Sequence, residues 1–484
     1  MRIVVVGAGV GGLVTAVRLA AGGHRVIVHE RASTVGGKLG RYARDGFAFD
    51  TGPSLFTLPQ VFGDLDLKLD LVPLDPVVRH VFPDGSVLDS SSDPDVFAAR
   101  IADVFGADAA DDWRRLWRRA GRIWDASWRD ILRTSVDSPL ALAGLAWHLG
   151  DLAAIAPGRS LRSLGRRYLR DPRLRMLLDR YATYTGADPR RAPAALAAVP
   201  YAELAFGGWY LRGGLGTLAD ALVARCADLG VTIVTDSPVT GIETSGGRVR
   251  GVRLAAGPVE PADVVVANAD ALTVYRDLLP TPARLSGLAD RSLAGFVLLL
   301  GVRGSTPELA HHTVFFPPDY DAEFDAVFGS PGRRAVPAAD PTVFVTRADD
   351  PAVHPEGHEA WFVLVNAPRH GTDHAAVDWR RPGLADAYAA RVLDLLAARG
   401  PDVRDRLTFC EVRTPADLAD ATAAPGGAIY GTAGGLLRPA NRGPVDGLFL
   451  VGGSSHPGGG LPMVTLSAQI VADRIGPARP GPAA

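Results

Sequence analysis

The turn Gly7-Ala8-Gly9-Val10-Gly11-Gly12 constrains this chain more than any other feature. It follows the β-branched run Arg2 to Val6 and opens Leu13 to Ala21, a segment with helical apolar spacing. Gly22-Gly23 end that helix, and His24 to Glu30 supplies a second strand. Strand, glycine turn, helix and strand form a βαβ unit, which predicts a parallel sheet covered by helices. Glycines let backbone N–H groups approach a diphosphate, and the helix N-terminus adds partial positive charge. Glu30 closes the second strand, where a carboxylate accepts hydrogen bonds from ribose hydroxyls and disfavours a 2′-phosphate. The combination points to an adenine dinucleotide; the competing reading is a tight turn without a ligand.

The segment after Glu30 favours FAD over NAD. Gly36-Gly37-Lys38 sets two pliant residues and a cation soon after the acid, suited to a second approach to the diphosphate, and Lys38 is one of only two lysines in an arginine-rich chain. Asp50-Thr51-Gly52-Pro53-Ser54 makes a tight polar turn. Near the C-terminus, Gly447 to Val451 reads as a strand, a glycine-rich turn comes next, and Met463 to Ile475 reads as a helix, repeating the N-terminal grammar. Between the two, residues 95–205 have a Leu, Ala and Arg texture with helical periodicity. Strand signals return at Val231 to Val234, Arg248 to Leu254 and Val264 to Ala267, and residues 292–410 are mixed.

With 484 residues, 47% of them hydrophobic, the chain has room for more than one domain and a large core. A formal net charge of -2 argues against nucleic acid as a partner. Cys226 and Cys410 are the only cysteines, too few for a disulfide framework or a thiolate zinc site, so no metal is expected and a reducing cytoplasm fits. The chain opens on a strand rather than a leader, and no run reaches the roughly 18 apolar residues of a membrane span. Peripheral membrane contact stays open.

The sequence resembles the bacterial phytoene and carotenoid desaturases, themselves similar to the FAD-dependent amine oxidases, along nearly the whole chain. The residues that carry the likeness are Gly7 to Gly12, Glu30, Gly36 to Lys38, Asp50 to Ser54, Tyr181-Ala182-Thr183-Tyr184-Thr185-Gly186, Gly207 to Gly214, Asn268-Ala269-Asp270 and Leu309 to Tyr320. The C-terminal block Leu448 to Pro462, with His456-Pro457-Gly458-Gly459-Gly460, matches the desaturases most closely and is absent from the amine-oxidase branch. The resemblance implies an α/β fold. Its Rossmann-like FAD-binding domain is assembled from residues 1–60, 206–290 and 421–476, with a helical, membrane-associating substrate region over 61–205, a mixed α+β substrate domain over 291–420 and a frayed tail over 477–484. The implied FAD contacts are Gly7, Gly9, Val10, Gly11, Gly12, Glu30, Arg31, Gly36, Gly37, Lys38, Gly52, Pro53, Val239 beside the adenine, Gly452, Gly453, and Pro462, Met463 and Val464 at the head of the last helix. Arg159 resembles a basic residue of the desaturases that positions substrate or headgroups and is the one candidate for a catalytic role; a solvated surface arginine is the alternative.

Trp113, Trp117, Trp124 and Trp128 project within about 60° of one another on one helix, with Arg114, Arg115, Arg118, Arg119, Arg122, Arg129 and Arg133 opposite. Either the indoles pack on the core with the arginines in water, or both meet a bilayer interface. Residues 138–180 are suited to the mouth of a lipophilic tunnel. The implied reaction removes two hydrogens from an allylic carbon pair, with hydride leaving to flavin N5 and a proton lost from the adjacent carbon, so the site needs alignment and dryness more than a strong base. A lipophilic polyene is the implied substrate, and quinone or O2 the electron acceptor. His311-His312 reads as structural, and His456 as a residue that tunes the flavin turn or caps the last helix. Gly459, Leu461 and Met463 depart from the phytoene-specific pattern, which leaves a late-acting enzyme on hydroxylated polyenes, or a sibling oxygenase, ketolase, saturase or isomerase, in play. A non-catalytic pigment carrier and an amine oxidase are the further alternatives.

Overall fold

A computed structural model describes residues 1–136, 155–279, 288, 290–433 and 438–478. Its organising element is a parallel sheet of five strands in the order Thr232–Val234, Arg25–His29, Arg2–Val6, Val264–Ala267, Leu448–Leu450. Ile3 to Val6 and Val264 to Ala267 are buried throughout, as a parallel sheet covered on both faces requires. The helices Val10–Ala21, Gly216–Asp228 and Leu461–Ile475 pack together on one face. The antiparallel strands Val239–Ser245, Arg248–Leu254 and Val259–Pro261 form a small sheet beside it.

The second body is a seven-stranded, mostly antiparallel sheet in the order Leu407–Arg413, Ala294–Arg303, His358–Ala367, Val343–Arg347, His312–Phe315, Arg79–Val81, Val87–Asp89. Ala294–Arg303 is buried along all but its last residue, and helix Leu384–Arg399 covers one face of this sheet with Tyr388, Val392 and Leu396. A layer of helices, Pro94–Phe105, Ala107–Ser127, Leu161–Tyr168, Pro172–Arg180 and Ala198–Ala205, joins the parallel sheet in one continuous apolar core.

Three expectations change. Both glycine-led helices start earlier than their apolar spacing suggests, at Val10 and Leu461, because glycine and proline are tolerated in a first turn whose N–H groups have no intrahelical partner anyway. The head of the C-terminal tail is held: Ala478 N–H donates to Gly22 O (2.8 Å) and His24 Nε2 lies 2.8 Å from Gly476 O. The rest of the tail, and residues 138–154 of the expected tunnel mouth, lie outside the described residues.

The tryptophan helix points inward, which selects core packing of the indoles from the two readings its sequence allowed. Trp113 and Trp124 are buried, Trp113 against Phe97 (5.2 Å between ring centroids) and Trp124 against Phe206 (5.4 Å) and Trp128 (5.0 Å). Trp117 is half-buried on Tyr201 at 4.6 Å. Buried Asp112 accepts the backbone N–H and Nε of Arg170, anchoring the helix from its apolar side, while Arg114, Arg118 and Arg122 are exposed. Burial of two indoles and partial burial of Trp117 and Trp128 favour protein contact over an interfacial position.

Candidate functional site

Two glycine turns, each leading toward a helix N-terminus, converge on one side chain. Gly7 takes φ +99° and its N–H donates to His29 O (2.8 Å), turning the chain from the first strand into Val10–Ala21, whose N-cap is Gly9 with no side-chain cap. At the other end of the sequence Gly452, at φ +102°, turns the chain out of Leu448–Leu450 toward Leu461–Ile475, whose N-cap Gly460 likewise has no side-chain cap. Asn268 sits between them. A Cβ at Gly11 or at Gly452 would lie 2.7 Å from Asn268 Oδ1, and one at Gly9 would lie 2.7 Å from Nδ2, so glycine at these positions is what admits the asparagine. Asn268 is half-buried and its amide has no hydrogen bond to protein among the described residues.

Glu30 closes the first turn from the side. Its carboxylate accepts the N–H of Ala8 (2.7 Å) and of Ala32 (2.9 Å). Ser237 and Asp236 donate N–H to Glu30 O (2.8 Å) and Ala32 O (3.0 Å), which brings Val239, at the head of its strand, beside the same acid. Gly36 N–H donates to Ala8 O (2.9 Å), and a Cβ on Gly37 would lie 3.1 Å from Gly9 Cα, so this second loop does approach the first turn. Gly52 stacks on the carbonyl of Lys38, where a Cβ would meet it at 1.9 Å, with Pro53 half-buried next to it.

The Lys38 side chain departs from expectation. Instead of turning toward the glycines, its Nζ donates to Ala428 O (2.9 Å) and Ile429 O (2.6 Å), because a buried ammonium needs acceptors and this bend supplies two. Burial lowers its pKa to about 8; Asp270 opposes that shift and Arg291 adds to it. Asp270 and Arg291 form a buried ion pair, with Arg438, itself lowered to about 10 chiefly by burial, on the carbonyls of Tyr430 and Thr432.

The C-terminal turn is braced at several points. Asn441 Nδ2 lies within 3.0 Å of Leu450 O, His456 O and Ser467 Oγ, and Ser454 Oγ accepts Ala271 N–H (2.8 Å). The buried Nε2 of His456 lies 2.9 Å from Ile131 O and 3.0 Å from Thr134 O, tying the turn to the end of the tryptophan helix. Next to the turn stands Tyr430, whose ring fills the space a Cβ on Gly459 would need, 2.6 Å from Cδ1, and reaches Gly186 on its other edge.

Beyond Tyr430 lies an aromatic interior. Phe344 stacks on His312 (5.6 Å between centroids) and Tyr184 lies 5.2 Å from Tyr181. Tyr184 and Tyr430 are half-buried, and burial pushes the pKa of each phenol up. Burial holds His312 down at about 4 and His80 at about 3, so both are neutral at pH 7. His312 lies 3.2 Å from Ser54 O and 3.3 Å from Val77 O, which makes it a clamp between two backbone segments. Among the described residues no group of three or more His, Cys, Asp or Glu could hold a metal ion.

The arrangement fits a flavin dinucleotide. Two helix N-termini lacking side-chain caps, an uncommitted amide between them and a carboxylate at the strand end are complementary to a diphosphate and a ribose. Nothing lies within 4 Å of where a Cβ on Gly460 would be, and the first N–H groups of the last helix, at Leu461 and Met463, have no hydrogen-bond partner among the described residues, with Pro462 between them and Val464 bonded back to Gly460. Gly12 packs on Gly7 O and supports the turn from behind. The side chain of Arg31, the neighbour of Glu30, is exposed with its guanidinium on Asp420 O, and Arg159 is exposed on the loop before Leu161–Tyr168. Sequence reasoning gave Asn268 no role, although its place at the end of the strand paired with Arg2–Val6 is the signal that locates it over the turn.

Comparison with known proteins agrees with this geometry. The flavin containing amine oxidoreductase family matches residues 10–476. The chain is 34% identical to a 4,4′-diapolycopene oxygenase of Methylomonas sp over 98% of both chains. It is also 34% identical to a hydroxyneurosporene desaturase of Cereibacter sphaeroides, over 98% of this chain and 97% of the relative. The fold matches the crystal structure of an oxidoreductase from Methanosarcina mazei with a TM-score of 0.64 at 18% identity, covering 98% of this chain and all of that one.

Proposed function

Starting from the fact that the chain belongs to the flavin containing amine oxidoreductase family, on its carotenoid desaturase branch, we propose that it is a carotenoid desaturase. It is an FAD-dependent oxidoreductase. In this reading Gly9, Gly11, Gly12 and Asn268 hold the diphosphate, Glu30 the ribose and Val239 the adenine, while the N–H groups of Leu461 and Met463 meet the isoalloxazine edge. When bound, FAD supplies the acceptor for the hydride released from an allylic carbon.

The protein's own part is geometric. The observation that carries the reading is the group of half-buried aromatic side chains by the C-terminal glycine turn: Tyr430 packs on Gly459, and we read it with Tyr184 and Phe344 as the lining of a substrate chamber, to which the neutral histidines His80 and His312 add no charge. Such a lining excludes water and orients a long apolar chain, which suits loss of hydride followed by loss of a proton. A polyene costs about 0.8 kcal/mol per CH2 to expose to water, so the substrate enters from a bilayer. The exposed arginines Arg114, Arg118 and Arg122 provide contacts for lipid phosphates, and exposed Arg159 fits a headgroup contact better than a contact with reacting carbons. Among the described residues no helix is long and apolar enough to cross a membrane. Quinone and O2 are the candidate final acceptors.

The oxygenase relative, equal in identity to the desaturase, favours a second reading in which the polyene gains oxygen. Expression in hosts that accumulate phytoene or lycopene, with mass analysis of the pigments, separates the two. Loss of two hydrogens per step is the expected result; gain of oxygen selects the second reading, and unchanged pigment in every host contradicts both.

A further inference from the structure

The loop that meets the first glycine turn sends a cation across to the bend that carries Tyr430. Lys38 follows Gly36 and Gly37, which stand against Ala8 and Gly9. Its Nζ donates to Ala428 O (2.9 Å) and Ile429 O (2.6 Å), 390 and 391 residues further along the chain. Among the described residues no other donor reaches these two carbonyls, and Ala428 is buried. The rest of the bend is held from elsewhere. Ile429 N–H donates to Leu293 O (3.1 Å), Tyr430 N–H to Ser292 Oγ (3.0 Å), and Arg438 Nη1 to Tyr430 O (3.1 Å) and Thr432 O.

Tyr430 Oη has no hydrogen-bond partner among the described residues, so the ring beside Gly459 is placed by its backbone and by packing alone. Removing the ammonium strips the donor from the two carbonyls that precede Tyr430, a cost the bend relieves by moving. An ammonium suits the task, being a compact charge with three donors on a flexible stem. The charges around it are the Asp270–Arg291 ion pair and Arg438 on the neighbouring carbonyls.

We propose that Lys38 is a positioning residue that ties residues 428–430 to the loop of the first glycine turn, so that the Tyr430 ring keeps its place against the flavin. This rests on the reading of the site as one that sets the isoalloxazine beside Tyr430.

The test reads the fluorescence of FAD in the purified holoprotein, because a phenol beside an isoalloxazine quenches its emission. FAD content is taken from the visible absorbance. Tyr430→Phe is expected to brighten the flavin severalfold, and Lys38→Met to do the same while retaining FAD. Lys38→Arg, which keeps the charge, is expected to keep most of the quenching. In Tyr430→Phe protein, Lys38→Met is expected to add nothing, the non-additivity of residues that act through one ring. Wild type is also expected to brighten as the pH rises through about 8, where the ammonium, lowered chiefly by burial, loses its proton and its charge-assisted hold. Lys38→Arg stays dim over that range, since a guanidinium remains charged and Tyr430, pushed up to about 12 by burial, remains a phenol. Unchanged fluorescence in Tyr430→Phe or in Lys38→Met, or equal brightening by Lys38→Met with and without Tyr430, overturns the inference and leaves the flavoenzyme reading intact. So does loss of FAD from folded Lys38→Met, which makes the ammonium a cofactor ligand instead. If that variant does not fold, the pH course of wild type against Lys38→Arg decides alone. Wild type that binds no FAD overturns both.

Discussion

Asn268 explains the glycines around it better than any local rule does. Gly9 and Gly11 lie in one turn and Gly452 far from them in the sequence, yet each lacks a Cβ where the same amide stands. Adding one methyl group should therefore disturb cofactor binding more than stability. Gly11→Ala would set a Cβ 2.7 Å from Asn268 Oδ1 and 3.2 Å from Gly452 Cα, forcing the two turns apart. FAD retained after purification, read from the visible spectrum, is expected to fall at least about tenfold, and Asn268→Ala in the same chain to recover part of it, since a contact below 3 Å cannot be absorbed without displacement. Full retention of FAD by Gly11→Ala would contradict the packing. At this scale the sequence was informative where the chemistry is local. The turn glycines and Glu30 are neighbours along the chain or one strand apart. The role of Asn268 and the destination of the Lys38 ammonium depend on segments more than 200 residues away, which no local spacing encodes.

Among the elements, the tryptophan helix separates pattern from direction. Its amphipathic period was legible in the sequence, but the side on which protein lies was not, because Trp suits a core and an interface equally. The structure places Trp113 and Trp124 in the core and leaves the arginine face exposed. Trp124→Ala is thus expected to cost about 3 kcal/mol of stability in denaturant unfolding, typical of an aromatic removed from a core, without changing binding to anionic vesicles. Replacing Arg114, Arg118 and Arg122 together by Glu should weaken vesicle co-sedimentation severalfold at low salt with little loss of stability. Release of Trp124→Ala from vesicles without destabilisation would restore the interfacial reading. The helix starts at Val10 and Leu461 teach a related lesson: apolar spacing marks where a helix buries its face, while its first turn is set by backbone hydrogen bonding and begins earlier.

Across the whole molecule, strands from the beginning, middle and end of the chain lie side by side in one parallel sheet, so the two glycine turns meet although more than 400 residues separate them. The repeated grammar of strand, glycine turn and helix made that sheet legible. The chamber was not, because its walls come from residues of ordinary local sequence: Tyr184 after a helix, Phe344 on a strand of the second sheet and Tyr430 in a loop. The central claim, that both glycine turns grip one flavin facing the aromatic chamber, is tested most directly by diffraction from crystals of the protein reconstituted with FAD. The diphosphate is expected against Gly9 to Gly12 and Asn268, with the isoalloxazine between the head of the last helix and Tyr430. FAD bound elsewhere, or an isoalloxazine turned away from Tyr184 and Tyr430, would contradict the account.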